Sequence, residues 1–288
     1  MKKVLVLVAA MMAVVLSAKA EVEFAYDAGF DLVSTYIWRG QYNGGLAIQP
    51  DLEIGYDGEH TALRIGAWGN IGVSDYLFRK DAGDGTGFTR FMPELDIVGS
   101  FSMFGLSLGF NHYYYCDGSN FFSWKSVDEI AAGGNTSTTE VWAGYNFNHF
   151  FGDKAGAYVN WYTMVAGNDL VYDEAGNPRR AWSSYLEVGY DFTFDVGLTL
   201  GAQVGMSPWA SDLYGNEKFA VTNVSLKLNQ EWELEHVTLD LFGQASINPN
   251  GLVTDKNDPD FNLWLNKAGD DKLYIQRLNG VIGLGIWF

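Results

Sequence analysis

The stretch RLNGVIGLGIWF, residues 277–288, alternates residue by residue. Leu278, Gly280, Ile282, Leu284, Ile286 and Phe288 fall on one parity, and Arg277, Asn279, Val281, Gly283, Gly285 and Trp287 fall on the other. A period of two marks a β-strand, whose successive side chains point to opposite faces. One face of this strand is smooth and apolar, while the other is small or polar. Similar alternation predicts twelve strands in all, over 22–38, 46–56, 61–73, 91–101, 104–114, 139–147, 157–165, 182–192, 196–206, 220–228, 237–247 and 274–288. Most have the nine to eleven residues, roughly, that a tilted strand needs to cross a bilayer.

Charge obeys the same parity. The apolar faces of the twelve stretches carry no Asp, Glu, Lys or Arg. The opposite faces carry the acids Glu23, Asp27, Asp31, Asp51, Glu53, Glu94, Asp96, Glu140, Glu187, Asp191 and Asp240, and the bases Arg64, Lys227 and Arg277. A soluble sandwich also alternates, but a mid-depth Lys or Arg facing lipid costs about 2–4 kcal/mol, which accounts for so strict an exclusion. Aromatic residues on the apolar parity gather at strand ends: Tyr36, Trp38, Trp182 and Tyr274 at one rim, and Phe24, Tyr26, Tyr56, Tyr190, Phe192 and Phe288 at the other. Aromatic girdles around an aliphatic band suit two membrane–water interfaces. Connections alternate between short (57–60, 102–103, 148–154, 193–195, 229–236) and long (74–90, 115–138, 166–181, 207–219, 248–273), the seven-residue RGQYNGG at 39–45 being the weak case. Pro50 and Pro93 each remove a ladder donor, which a β-bulge would absorb. The expected fold is all-β: a 12-stranded antiparallel up-and-down transmembrane β-barrel with short periplasmic turns and longer extracellular loops.

The opening residues fit an export signal, with Lys2 and Lys3, an apolar run from Val4 to Val15, and Ala18-Lys19-Ala20 as the cleavage site. Residues 1–20 are therefore expected to be a secretory signal peptide and residues 21–288 a single barrel domain. Without Lys2, Lys3 and Lys19 the chain holds 15 basic residues against 35 acidic ones, the wrong sign for a nucleic-acid partner. Cys116 is the lone cysteine, so no internal disulfide can form.

Enzyme chemistry is not expected. A hydrolase needs a nucleophile and a base within reach. His60, His149 and His236 fall in or beside short turns, and His112 falls on the apolar parity between Phe110 and Tyr114. No Cys/His spacing suits zinc. The acidic loop TDKNDPDFN, 254–262, misses a calcium loop because Pro259 takes a ligand position. No cofactor is expected.

The stretch DLVSTYIWRGQYNGGLAIQPDLEIGY (31–56), followed by TALRIGAWGNIGV (61–73), resembles the opening of the TorF-type porin family of bacterial outer-membrane barrels. The matching positions are Ser34, Tyr36, Trp38, Arg39 and Gly40, then Ala47-Ile48-Gln49, then Gly66, Trp68 and Gly69. A terminal aromatic closing the last strand also resembles the end of Gram-negative outer-membrane proteins. The resemblance implies a barrel and a pore; outer-membrane lipid, lipopolysaccharide and small solutes are the expected partners.

The pore-lining set expected from parity is Asp27, Asp31, Asp51, Glu53, Arg64, Glu94, Asp96, Glu140, Glu187, Asp191, Lys227 and Arg277. Counting from strand ends places Arg64 opposite Asp51 and Asp96. These charges fit either an ion-pair network bracing the wall or an acidic stripe that concentrates cations. Inward Trp68, Tyr113, Trp142, Tyr158, Tyr162, Tyr185 and Trp287 narrow the interior, while inward glycines such as Gly109, Gly201 and Gly283 widen it. The expected function is a narrow, cation-preferring channel for passive diffusion of small solutes. The alternative is a non-conducting barrel whose extracellular loops bind a partner or a surface.

Overall fold

The computed structural model describes residues 23–73, 94–116, 121, 125–133, 137–151, 154–173, 175–211, 213–250 and 278–288. The expected export segment, Pro93, Tyr274, Arg277 and the acidic loop 254–262 lie outside the described residues. Sixteen strands run in chain order: β1 Glu23–Val33, β2 Tyr36–Trp38, β3 Gln41–Gly44, β4 Ala47–Asp57, β5 Thr61–Gly72, β6 Glu94–Met103, β7 Leu106–Tyr114, β8 Thr138–Asn146, β9 Ala155–Gly167, β10 Leu170–Tyr172, β11 Pro178–Arg180, β12 Ser184–Thr193, β13 Leu198–Ser207, β14 Ala220–Glu233, β15 Thr238–Ile247 and β16 Leu278–Trp287. Among the described residues two short helices, α1 Val127–Ala131 and α2 Asn148–Phe151, sit in connections. Among the described residues no helix is long and apolar enough to cross a membrane.

Twelve of these strands close into one antiparallel barrel, in the order β1-β16-β15-β14-β13-β12-β9-β8-β7-β6-β5-β4. Each barrel strand overlaps one of the twelve expected from parity. The largest shifts in a boundary are in β1, which ends at Val33, and in β14, which continues to Glu233 and shortens the turn before β15. The strands are inclined. Following ladder partners sideways from Glu23 leads through Asp57, Ala62, Ser102, Ser107, Gly144, Asn160, Glu187 and Gly205 to Asn223. A row that starts at the lower end of β1 thus finishes near the top of β14, the stagger that a closed barrel requires. Pro50 stays in register opposite Phe30. On its other side the β4–β5 ladder is interrupted without slipping, and Gln49 Nε2 donates to Asn70 Oδ1 at 3.2 Å. No bulge is needed there.

Polarity is inverted relative to a water-soluble domain. Leu226 is 67 % exposed and Ile282 69 %, whereas Glu140 and Asn223 are fully buried. The outer surface is an apolar band. At its lower rim Phe24 and Tyr56 meet edge to face at 5.8 Å, and Tyr190 meets Phe151 at 5.9 Å. At the upper rim Trp161 packs on Trp209 at 5.7 Å, and Trp209 Nε1 donates to the Trp182 carbonyl at 3.0 Å. His112 is buried beside this rim: its Nδ1 is 2.9 Å from Thr139 Oγ1 and its Nε2 2.7 Å from the Phe121 carbonyl, so it anchors the loop after β7.

Candidate functional site

The first strand was expected to continue to residue 38. It leaves the wall after Val33 instead, and Tyr36 and Trp38 do not join the upper rim. Ser34 N donates to the Ile282 carbonyl at 2.9 Å and Ile282 N to Ser34 Oγ at 3.0 Å, a clasp that ends the wall pairing. From there β2 and β3 form a hairpin that turns into the barrel. Its two-residue turn is Arg39-Gly40, with φ of 49° and 81°. Two successive positive φ values define the tight hairpin turn whose twist matches its strands. Glycine at 40 is required twice over: a Cβ there would lie 2.8 Å from Asn223 Oδ1, and a side chain is disfavoured at that φ. Asn43 is the extra residue between the pairs Tyr36–Gly44 and Ile37–Tyr42, a bulge that bends the hairpin inward.

The hairpin tip spans the interior. Arg39 Nη1 donates to Glu140 Oε1 at 2.7 Å and Nη2 to Glu140 Oε2 at 2.8 Å. Nη1 also donates to the Tyr214 hydroxyl at 2.6 Å. The guanidinium carbon lies 4.1 Å from the Tyr162 ring centre, 4.6 Å from Trp38 and 4.8 Å from Tyr185. Glu140 accepts further hydrogen bonds from the Tyr113 hydroxyl at 2.9 Å and Asn111 Nδ2 at 3.1 Å. Trp38 stacks on Tyr214 at 5.9 Å and 7°, and Tyr36 packs on Trp68 at 5.4 Å. Asn279 Nδ2 donates to the Gly40 carbonyl at 2.7 Å, and Gln41 Nε2 to the Leu213 carbonyl at 3.1 Å. The tip is therefore tied to β8, β16 and the connection between β13 and β14. A buried pair of this kind gains little net stability, because desolvation offsets attraction. Its forked geometry instead dictates where the hairpin docks.

Below this latch the wall is acidic. Asp51 and Asp96 flank Trp68 in one ladder row, and Arg64 does not face them. Arg64 sits lower: its Nε donates to Asp57 Oδ1 at 3.1 Å, its Nη2 pairs with Asp57 Oδ2, and its Nη1 is 3.6 Å from Glu53 Oε1. Counting from strand ends assumed level rows, and inclined rows moved the pairing. Asp27 is the ladder partner of Glu53, and Asp31 and Asp240 flank Gly285. Glu94 and Asp96 are buried near the hairpin. Asp191, Gly201 and Lys227 form another row, and Glu187 accepts from Gln203 Nε2 at 2.9 Å. Arg277 lies outside the described residues.

Inward glycines receive the rings of neighbouring strands. The Trp142 indole lies over Gly109, the Tyr158 ring over Gly189 and the Tyr185 hydroxyl end over Gly205. The rings thereby rest against the wall, and a cavity of about 390 Å³ survives along β7, β8, β9 and β12. Gly189→Val would force the Tyr158 ring off the wall into this space. Single-channel conductance is expected to fall at least two-fold, and an unchanged conductance would remove this wall from the path.

Arg39 and Tyr214 were not among the residues expected at the site. Strand parity assigns faces only within strands, and both residues belong to connections. The usable signal was Arg-Gly, two residues closing a short hairpin, although it lacks the Asn-Gly or Asp-Gly form that announces such turns.

No family model matches the chain, and no curated protein matches it. Among solved structures, OmpF of Salmonella typhi, in complex with daunomycin, is 10% identical over 93% of this chain and 98% of that chain, with a TM-score of 0.39. An outer membrane channel from Pseudomonas putida F1 is 12% identical over 93% and 94%, with a TM-score of 0.42. An anion-selective porin from Comamonas acidovorans is 7% identical over 93% and 98%, with a TM-score of 0.33.

Proposed function

We propose that this chain is an outer-membrane channel for passive diffusion of small solutes, narrow and cation-preferring, with its narrowest point at the Arg39–Glu140 latch. The observation that carries it is the inverted polarity: an apolar band faces outward while carboxylates, amides and hydroxyls face inward. Asp31, Asp96 and Asp240 each hold a buried carboxylate oxygen with no hydrogen-bond partner among the described residues. Oxygens sealed in this way need an ordered water or a proton in place of a protein donor. The acid excess on β1, β4 and β6 supports cation preference, because a low-dielectric wall focuses the field of its charges. The likeness of residues 30–73 to TorF-type porins supports the same assignment. Outer-membrane lipid and lipopolysaccharide would contact the apolar band.

Single-channel recording across a salt gradient tests the proposal. A reversal potential of the cation-selective sign is expected, and anion preference would overturn it. Replacing Asp31, Asp51 and Asp96 together with Asn is expected to shift the reversal potential toward zero; an unchanged value would take these residues out of the path.

A second possibility is a non-conducting barrel whose outer loops bind a partner or a surface. Two features favour it: the hairpin tip and Tyr214 cross the interior, and Arg64 is held between Glu53 and Asp57. It requires zero conductance even after the latch is removed.

A further inference from the structure

We infer that the cavity beneath the latch is a binding site for an organic cation, an ammonium or guanidinium group carried on an aromatic or aliphatic body. The inference rests on the channel assignment above and names its substrate class. The cavity, about 390 Å³, falls within the size range of small-molecule sites. Its lining includes three inward aromatic side chains, Trp142, Tyr158 and Tyr162, and two acids, Glu187 and Asp191, and no Lys, Arg or His. Two of the rings are held in place by glycine recesses, Trp142 over Gly109 and Tyr158 over Gly189. Gly189 stands between Glu187 and Asp191 on the inward face of β12, so the Tyr158 ring lies between the two carboxylates. Gln203 Nε2 and the Tyr185 hydroxyl both donate to Glu187 Oε2, at 2.9 and 3.4 Å, and hold that carboxylate in position.

The same wall already binds a cation of this chemistry. The Arg39 guanidinium rests 4.1 Å from the Tyr162 ring centre and is neutralised by Glu140. Tyr162 also lines the cavity, so one ring touches both the latch and the space below it. Below it the same combination recurs, with Tyr158 and Trp142 as the aromatic faces and Glu187 as the counter-charge. Attraction between a cation and an aromatic face strengthens as water is excluded, and a carboxylate beside the ring adds a charge-assisted hydrogen bond. Two positive groups stand near. Arg39 is already paired with Glu140, and Lys227 lies two strands from Asp191 across Gly201. One lysine against two carboxylates leaves the cavity electronegative. A sugar would also stack on these rings and donate its hydroxyls to the carboxylates, but only a cation gains from their charge as well.

The test uses the whole folded barrel in detergent, with tryptophan fluorescence as the binding readout. The probes are benzylammonium, benzyl alcohol as its neutral counterpart, and glucose. Saturable binding of benzylammonium, at least ten-fold tighter than either neutral probe, is expected. Glu187→Gln with Asp191→Asn should weaken it at least ten-fold, and the heat-dependent shift in gel mobility checks that the variant is folded. Equal binding of benzyl alcohol or glucose, no binding at all, or unchanged affinity in the folded variant would overturn the inference. Potassium conductance of the wild-type barrel is recorded alongside. Failure of binding with conductance intact sinks the site alone, and binding without conductance sinks the channel assignment alone.

Discussion

Glu140→Ala is expected to release the inward hairpin and raise single-channel conductance several-fold. The substitution strips a buried guanidinium of its only carboxylate among the described residues, leaving the Tyr214 hydroxyl and three aromatic rings around it. Removing one partner of a buried pair costs about 3–5 kcal/mol, because the remaining charge stays desolvated. The cheapest response is for β2 and β3 to swing toward water. The barrel wall itself need not open, since the hairpin pairs only with itself and is tied to the wall through side chains and a few carbonyls. Arg39→Ala removes the charge as well as the contact, so it should unlatch the tip with a smaller loss of stability. The double variant should resemble Arg39→Ala, which is the signature of a coupled pair. Arg39→Lys keeps the charge but loses the two-pronged contact, and is expected to fall between wild type and Arg39→Ala. Conductance in planar bilayers and protease cleavage near Arg39 in folded protein are the measurements. If both match wild type in every variant, the hairpin is not held by this pair.

Leu226→Arg is expected to lower folding stability by about 2–4 kcal/mol, the cost of a basic side chain at mid-depth on a lipid-facing strand. Leu226 is 67 % exposed in the middle of β14, between its ladder partners Ala202 and Ala245. Its neighbour in sequence, Lys227, already carries a positive charge at nearly the same height but on the opposite face. Lys227→Leu should change stability far less. Urea titration of both variants in phospholipid vesicles separates them. Equal effects would mean that the two faces meet the same medium, and the membrane assignment would fail.

These contrasts mark how far the sequence could be read. Alternation is a property of neighbouring residues and needs no knowledge of what lies across the molecule. The twelve wall strands, their inward and outward faces and the exclusion of charge from the outer face were therefore legible from parity. Residues 34–38 misled because Tyr36 and Trp38 continue the alternation of β1 while the backbone has already left the wall. Nothing local distinguishes an aromatic residue that meets lipid from one that packs on Trp68.

The amino-acid order by itself determined which side of each strand is apolar and which is charged, because strand geometry converts a period of two into two faces. Tertiary structure alone decided which charges meet. The stagger of a closed barrel moves each row along the next strand, so Arg64 reaches Asp57 and Glu53 while Asp51 and Asp96 flank Trp68. Folding back of one hairpin brings Arg39 to Glu140 across a hundred residues of chain, and contacts that distant depend on how the sheet closes and on no spacing along the sequence.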